Sequence, residues 1–189
     1  LKSCFIKNLG NGKFEMHPLP VMAQMAPLYG MVAGDFNNDG NLDIALAGND
    51  FGNEVTNGRY DAFNGLVMLG DGRGNFAPQT ISNSGLFLPG DAKAMVRLKD
   101  AGNHLLLAAS QNRGALKIFR SRNDALKIIP LKSGDKVIFV TLKNGAVRKE
   151  EIYFGNAFFS QSSSFVLADA NTMKITITGR DGHTREINY

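Results

Sequence analysis

Residues 34–47 read Gly34-Asp35-Phe36-Asn37-Asn38-Asp39-Gly40-Asn41-Leu42-Asp43-Ile44-Ala45-Leu46-Ala47. Asp35, Asn37, Asp39, Asn41 and Asp43 place an oxygen-bearing side chain at every second position, with Gly40 at the bend. A hard divalent cation such as Ca²⁺ takes six to eight oxygen ligands at about 2.3–2.6 Å, and a short loop turned at a glycine can aim several of them inward. Three carboxylates this close repel one another unless something offsets their charge. The spacing predicts a calcium loop. The alternative is an Asx-rich turn closed by its own backbone.

Counted from Asp35 as position 1, Gly40 falls at 6, Asn41 at 7 and Asp43 at 9, as in the EF-hand. Position 12 is Leu46, so the bidentate Glu of that motif is missing. The flanks are not helical either: Leu42, Ile44 and Leu46 alternate with Asp43, Ala45 and Ala47, which is a strand period. The loop is expected to feed a β-strand.

Outward from this stretch the chain repeats. Residues 4–19 match residues 66–81 at an offset of 62, with Gly12 on Gly74 and Phe14 on Phe76. The same offset lays Asp35–Ala47 on Arg97–Ala109 without a gap. A weaker third copy, Leu116–Leu126, follows the second after 50 residues. Asn11-Gly12 and Asp71-Gly72 are hairpin turn pairs. Each unit reads as strand, Asx/Gly turn, strand, loop, strand, Gly-rich turn, strand, and units of this kind bury their faces only against neighbours, as propeller blades do. The second copy carries Arg97, Lys99 and Ala101 where the first has Asp35, Asn37 and Asp39, so its turn is expected to hold without metal.

The loop and its repeat resemble FG-GAP/VCBS repeats, the blade units of integrin-α-like β-propellers, over residues 1–131. The resemblance implies calcium ligation by Asp35, Asn37, Asp39 and Asp43, with Asn41 acting through its carbonyl. Propellers have about four to eight blades, and this chain holds about two, so it reads as the C-terminal part of a longer protein. Its exposed blade edges favour self-association.

From residue 132 the plan changes. Val137–Leu142, Asn144-Gly145 and Val147–Phe154 form one hairpin, and Met173–Thr178, Asp181-Gly182 and His183–Tyr189 repeat it at an offset of 37, with Arg148 on Arg185. With the aromatic turn Tyr153-Phe154-Gly155 and the run Ser160-Gln161-Ser162-Ser163, residues 132–189 are similar to the ASPIC/UnbV domain. The expected fold is therefore all-β: about two propeller blades (residues 1–131) and a small antiparallel β domain (residues 132–189).

Composition sets further bounds. No run of about 18 apolar residues exists, so no helix would span a membrane. One cysteine, Cys4, excludes an internal disulfide framework. The net charge of +4 divides evenly between the two parts, and the basic excess over residues 91–127 contains a single aromatic, Phe119. Nucleic-acid binding wants aromatics interleaved with such a run, so no nucleic-acid partner is expected.

Catalytic sets are absent from the sequence. His17, His104 and His183 stand in separate repeat elements without a companion nucleophile. Glu150 and Glu151 are adjacent on a strand and face opposite ways, which does not make a glycosidase pair. The long loop Asn49–Gly65 carries Arg59, Tyr60 and Phe63 among amides, a mixture suited to protein or sugar contacts, or to packing on the next unit.

The expected function is a non-catalytic, Ca²⁺-stabilised binding or adhesion module of an exported, cell-surface or periplasmic protein, with an unidentified protein or carbohydrate ligand. The alternative is an accessory scaffold of a carbohydrate-active or other enzyme whose catalytic part lies in a preceding region.

Overall fold

The computed structural model describes residues 2–123, 125–153, 155 and 160–189. The described residues form an all-β protein of several small antiparallel sheets, none of them closed. The expected turn at residues 153–155 lies partly outside this set, as do residues 156–159 that follow it.

Strands β1 (Cys4–Gly10) and β2 (Lys13–Pro18) make a hairpin across Asn11-Gly12. Next comes a four-stranded meander of β3 (Leu28–Gly34), β4 (Asp43–Gly48), β5 (Leu66–Gly70) and β6 (Phe76–Pro78), in that spatial order. A three-stranded meander of β7 (Ala92–Lys99), β8 (Leu105–Gln111) and β9 (Lys117–Arg120) follows. The hydrophobic alternation on β4 is now explained by two different neighbours. Ala45 and Ala47 face β7, while Leu46 faces a cluster with Ala23, Phe63, Leu66 and Met68. Small residues on one face let the sheets close together. Gly30 on β3 marks a close approach, where a Cβ would lie 2.6 Å from the Met95 backbone nitrogen.

Pairing corrects the ungapped offset of 62. Gly34 pairs with Asp43 around an eight-residue loop, whereas Lys99 pairs with Leu105 around a five-residue turn. Asp35 therefore lies in a loop, while Arg97 lies inside β7 opposite Leu107. The shorter turn is closed by its own hydrogen bonds: Asp100 accepts from the His104 N–H at 2.8 Å, and the Asn103 N–H reaches the Asp100 carbonyl. A gapless match hides this difference, because sequence similarity places residue types and only hydrogen bonding places register.

The third copy departs further. After β9 the chain does not turn back to add a fourth strand. Instead β10 (Lys127–Pro130) pairs with β13 (Phe165–Ala168), across the expected boundary at residues 131 and 132. Ile128 and Ile129 thereby pack towards the apolar run Phe165–Ala168, which is buried along its whole length. That burial outweighs a hairpin whose loop lacks a glycine turn.

The tail follows its own repeat closely. Strands β11 (Asp135–Leu142) and β14 (Thr172–Gly179) coincide at the offset of 37, as do β12 (Val147–Glu151) and β15 (Thr184–Asn188). Their sheet runs β12-β11-β14-β15, with Ile138, Val140, Ile175 and Ile177 buried on one face.

Candidate metal loop and its surroundings

Asp35 and Asp43 are the buried members of the loop, at 3% and 0% exposure. Each carboxylate is held by main-chain donors. Asp35 accepts from the Asp39 N–H (3.2 Å) and the Gly40 N–H (2.8 Å). Asp43 accepts from the Phe36 N–H (2.8 Å) and the Gly70 N–H (2.9 Å), tying the loop to β5. Asn37 accepts from the Asp39 N–H and donates to the Asp39 carboxylate, which in turn accepts from the Asn41 N–H at 2.7 Å. Gly40 takes φ +90°, a left-handed value that places these N–H groups on the inside of the bend.

Burial pushes the Asp35 carboxyl above the usual carboxylate range, against the pull of the Gly40 N–H and the nearby Arg148 guanidinium. Burial raises Asp43 likewise, opposed by the Gly70 and Phe36 N–H groups. The loop thus keeps two carboxylates out of water with only partial compensation. An ionised carboxylate offers about four lone-pair sites, and the bonds named above use two on each of Asp35 and Asp43. The donor set has the chemistry and the remaining capacity for a hard cation. Among the described residues, however, no three acidic, His or Cys side chains converge on one point. The loop as folded is closed by Asx bonds.

Sequence reasoning missed what lies over the loop. Arg148 on β12 places its Nη1 3.6 Å from Asp35 Oδ2 and donates to the Gly40 carbonyl at 2.9 Å. Asn171 donates to the Asn38 carbonyl at 2.6 Å. Leu142 sits where a Cβ on Gly40 would be, 2.3 Å from Cδ1. The C-terminal sheet therefore rests directly on the bend. The one hint in the sequence was the match of Arg148 with Arg185. Arg185 does a different job, pairing with the buried Asp135.

The long loop is divided by the structure. Phe63 is 3% exposed and packs in the core with Leu46, Leu66 and Met68. Asn49 brackets it, donating to the Phe63 and Gly90 carbonyls and accepting the Phe63 N–H at 3.0 Å. Phe63 is therefore a packing residue, because burying an aromatic ring outweighs presenting it to solvent. Tyr60 stays half exposed at 50%, bridged through its backbone to Asp50, and Arg59 stacks over the Phe51 ring at 5.1 Å.

The histidines stay apart. His104 is paired with Asp100, His17 lies 3.3 Å from Glu15, and His183 is exposed. No helix among the described residues is long and apolar enough to cross a membrane. No protein-family model matches the chain, and no curated protein matches it significantly.

Proposed function

We propose that this chain is a non-catalytic binding or adhesion module built from two propeller-type blades and a small β domain, and that Ca²⁺ in the Asp35–Asp43 loop stabilises it. The observation that carries the calcium reading is geometric: Asp35 and Asp43 are both buried at the two ends of one bend that also holds Asn37, Asp39 and Asn41. Asp35, Asn37, Asp39 and Asp43 would supply side-chain oxygens and Asn41 its carbonyl, fixing the eight-residue loop between β3 and β4. Stacking of the sheets in one sense supports the blade reading. Ala45 and Val67 of the first sheet pack towards Met95 and Ala109 of the second, and the alternate residues Ala108 and Ile118 turn to the far side. Extracellular calcium at millimolar level would fill even a site of Kd about 10⁻⁴ M, which suits a cell-surface or periplasmic setting.

The test is a thermal melt in EDTA, in calcium and in magnesium. At ~100 times its Kd a ligand adds about 2.7 kcal/mol to the folded state, and for a chain of this size each kcal/mol moves Tm by about 2–4 °C. The expected result is a rise of roughly 5–11 °C in 10 mM calcium, absent in the Asp39→Ala variant. Equal melts in EDTA and calcium would leave the loop a metal-free Asx turn.

A further inference from the structure

Asp35 is a buried carboxylate whose ion-pair partner among the described residues comes from the far end of the chain. Arg148 on β12 brings its Nη1 to 3.6 Å from Asp35 Oδ2, and its own side chain is only 12% exposed. The guanidinium is fixed from two sides. Its Nε donates to Glu150 Oε1 at 3.1 Å along its own strand, and its Nη1 donates to the Gly40 carbonyl at 2.9 Å. The other tail charge that acts on Asp35 is of the wrong sign. Asp169 opposes ionised Asp35, and its Oδ1 is taken up by the Asn171 and Thr172 N–H groups. Arg148 is thus the cation that the folded loop already has.

A calcium ion bound to Asp35 Oδ2 at about 2.3–2.6 Å would stand no farther than about 6 Å from that Nη1. A double and a single positive charge so close repel each other, and burial leaves little water or salt to screen them. Both cations therefore need the same carboxylate. Displacing the guanidinium would also be felt beyond the loop. The Arg148 bond to the Gly40 carbonyl, the Asn171 bond to the Asn38 carbonyl and the contact of Leu142 with Gly40 all fall on residues 38–40, inside the bend between Asp35 and Asp43. The tail is seated on the stretch of backbone that a bound ion would organise.

We propose that Arg148 is the resident counter-ion of the loop and competes with Ca²⁺ for Asp35, so that calcium binding and the seating of the C-terminal sheet oppose each other. Linkage makes the effect reciprocal: the factor by which the seated guanidinium weakens calcium binding is the factor by which bound calcium weakens the seating. Calcium still stabilises the folded chain, as any ligand confined to the native state does, and the loosened tail contact offsets part of that gain. The joint between the blades and the tail is then sensitive to calcium concentration, with Arg148 setting the concentration at which it responds. The inference rests on the calcium reading of the loop and adds a regulator to it.

The test is a calorimetric titration of the full chain with calcium chloride, for the parent, Arg148→Gln and Arg148→Lys. Arg148→Gln removes the charge and should tighten calcium binding by roughly tenfold or more. Arg148→Lys keeps a positive charge at the position and should stay within about threefold of the parent. Calcium binding that Arg148→Gln leaves unchanged or weakens would overturn the proposal and leave the calcium reading standing. Absence of binding by both the parent and Arg148→Gln at millimolar ion would overturn the two together. A second measurement needs no variant: hydrogen exchange of the parent, read by mass spectrometry in EDTA and in millimolar calcium. Residues 35–43 should exchange more slowly in calcium, while residues 142–151 and 169–173 exchange faster. Slowing in the loop and the tail alike would overturn the competition, because calcium would then hold both in place.

Discussion

Gly40→Ala tests whether the C-terminal sheet is seated on the loop. Two costs combine. At φ +90° a residue with a Cβ is strained by about 1–3 kcal/mol. The new methyl would also fall 2.3 Å from Leu142 Cδ1, and Leu142 is 5% exposed inside the tail's core, so it must shift against packed neighbours at a cost of about 1–3 kcal/mol. The expected loss is about 2–6 kcal/mol. The chain has no tryptophan, so urea unfolding is best followed by far-UV circular dichroism. The backbone strain belongs to the loop alone, whereas the steric part needs the tail. Placing Gly40→Ala in a Leu142→Ala background should therefore recover the steric part, giving a coupling of about 1 kcal/mol or more between the two sites. Strictly additive losses would refute the contact between Leu142 and the bend. A loss for Gly40→Ala below about 1 kcal/mol would refute the strained geometry as well.

Two further outcomes follow from the structure. Phe63→Ala should cost about 3–5 kcal/mol in the same urea assay, while Tyr60→Ala should stay within about 0.5 kcal/mol; comparable losses would contradict the division of the long loop. The second concerns pH. The hydrogen-bonded Arg185 guanidinium holds the Asp135 carboxyl below the usual range, helped by the Lys132 N–H. A carboxyl whose folded pKa is depressed contributes stability that is fully present above its unfolded value near 3.9 and is lost as pH falls through the folded value. Arg185→Gln should therefore move the acid-unfolding midpoint upward, as read by circular dichroism between pH 5 and pH 2; an unchanged midpoint would show that the pair is not coupled to folding.

Local signals carried the all-β class and most strand positions into the sequence. The offset of 37 relates β11 to β14 and β12 to β15, and the expected segments fall on these strands with ends that differ by one to three residues, because Asn144-Gly145 and Asp181-Gly182 fix hairpin register through their turns. The loop residues were legible because Asx bonding is also local: nearly every bond to Asp35, Asn37 and Asp39 closes within five positions. What stayed hidden was long-range. The Arg148 bond to Gly40 spans 108 positions, and no local propensity encodes it. The move of β10 to β13 was illegible for a similar reason. Ile128 and Ile129 suit either partner by pattern, and the burial available at Phe165–Ala168 decides. Phe63 was ambiguous because an aromatic in a polar loop reads the same whether it faces solvent or core.

The sheet of the tail has one further consequence. Along its centre Ile138 lies opposite Ile177 and Val140 opposite Ile175, while Phe139 lies opposite Thr176, its own counterpart 37 positions on. A pseudo-dyad therefore passes between Phe139 and Thr176, and each hairpin offers the other the same edge. Such an arrangement is what two identical chains would adopt in an isologous dimer, and joining them in one polypeptide releases the halves from identity. Arg185 and Arg148 hold equivalent places on one face, yet Arg185 pairs with Asp135 inside the sheet while Arg148 reaches the Gly40 carbonyl in the loop between β3 and β4. The backbone is symmetric across this axis, and the contact with the loop comes from the side chains that are not.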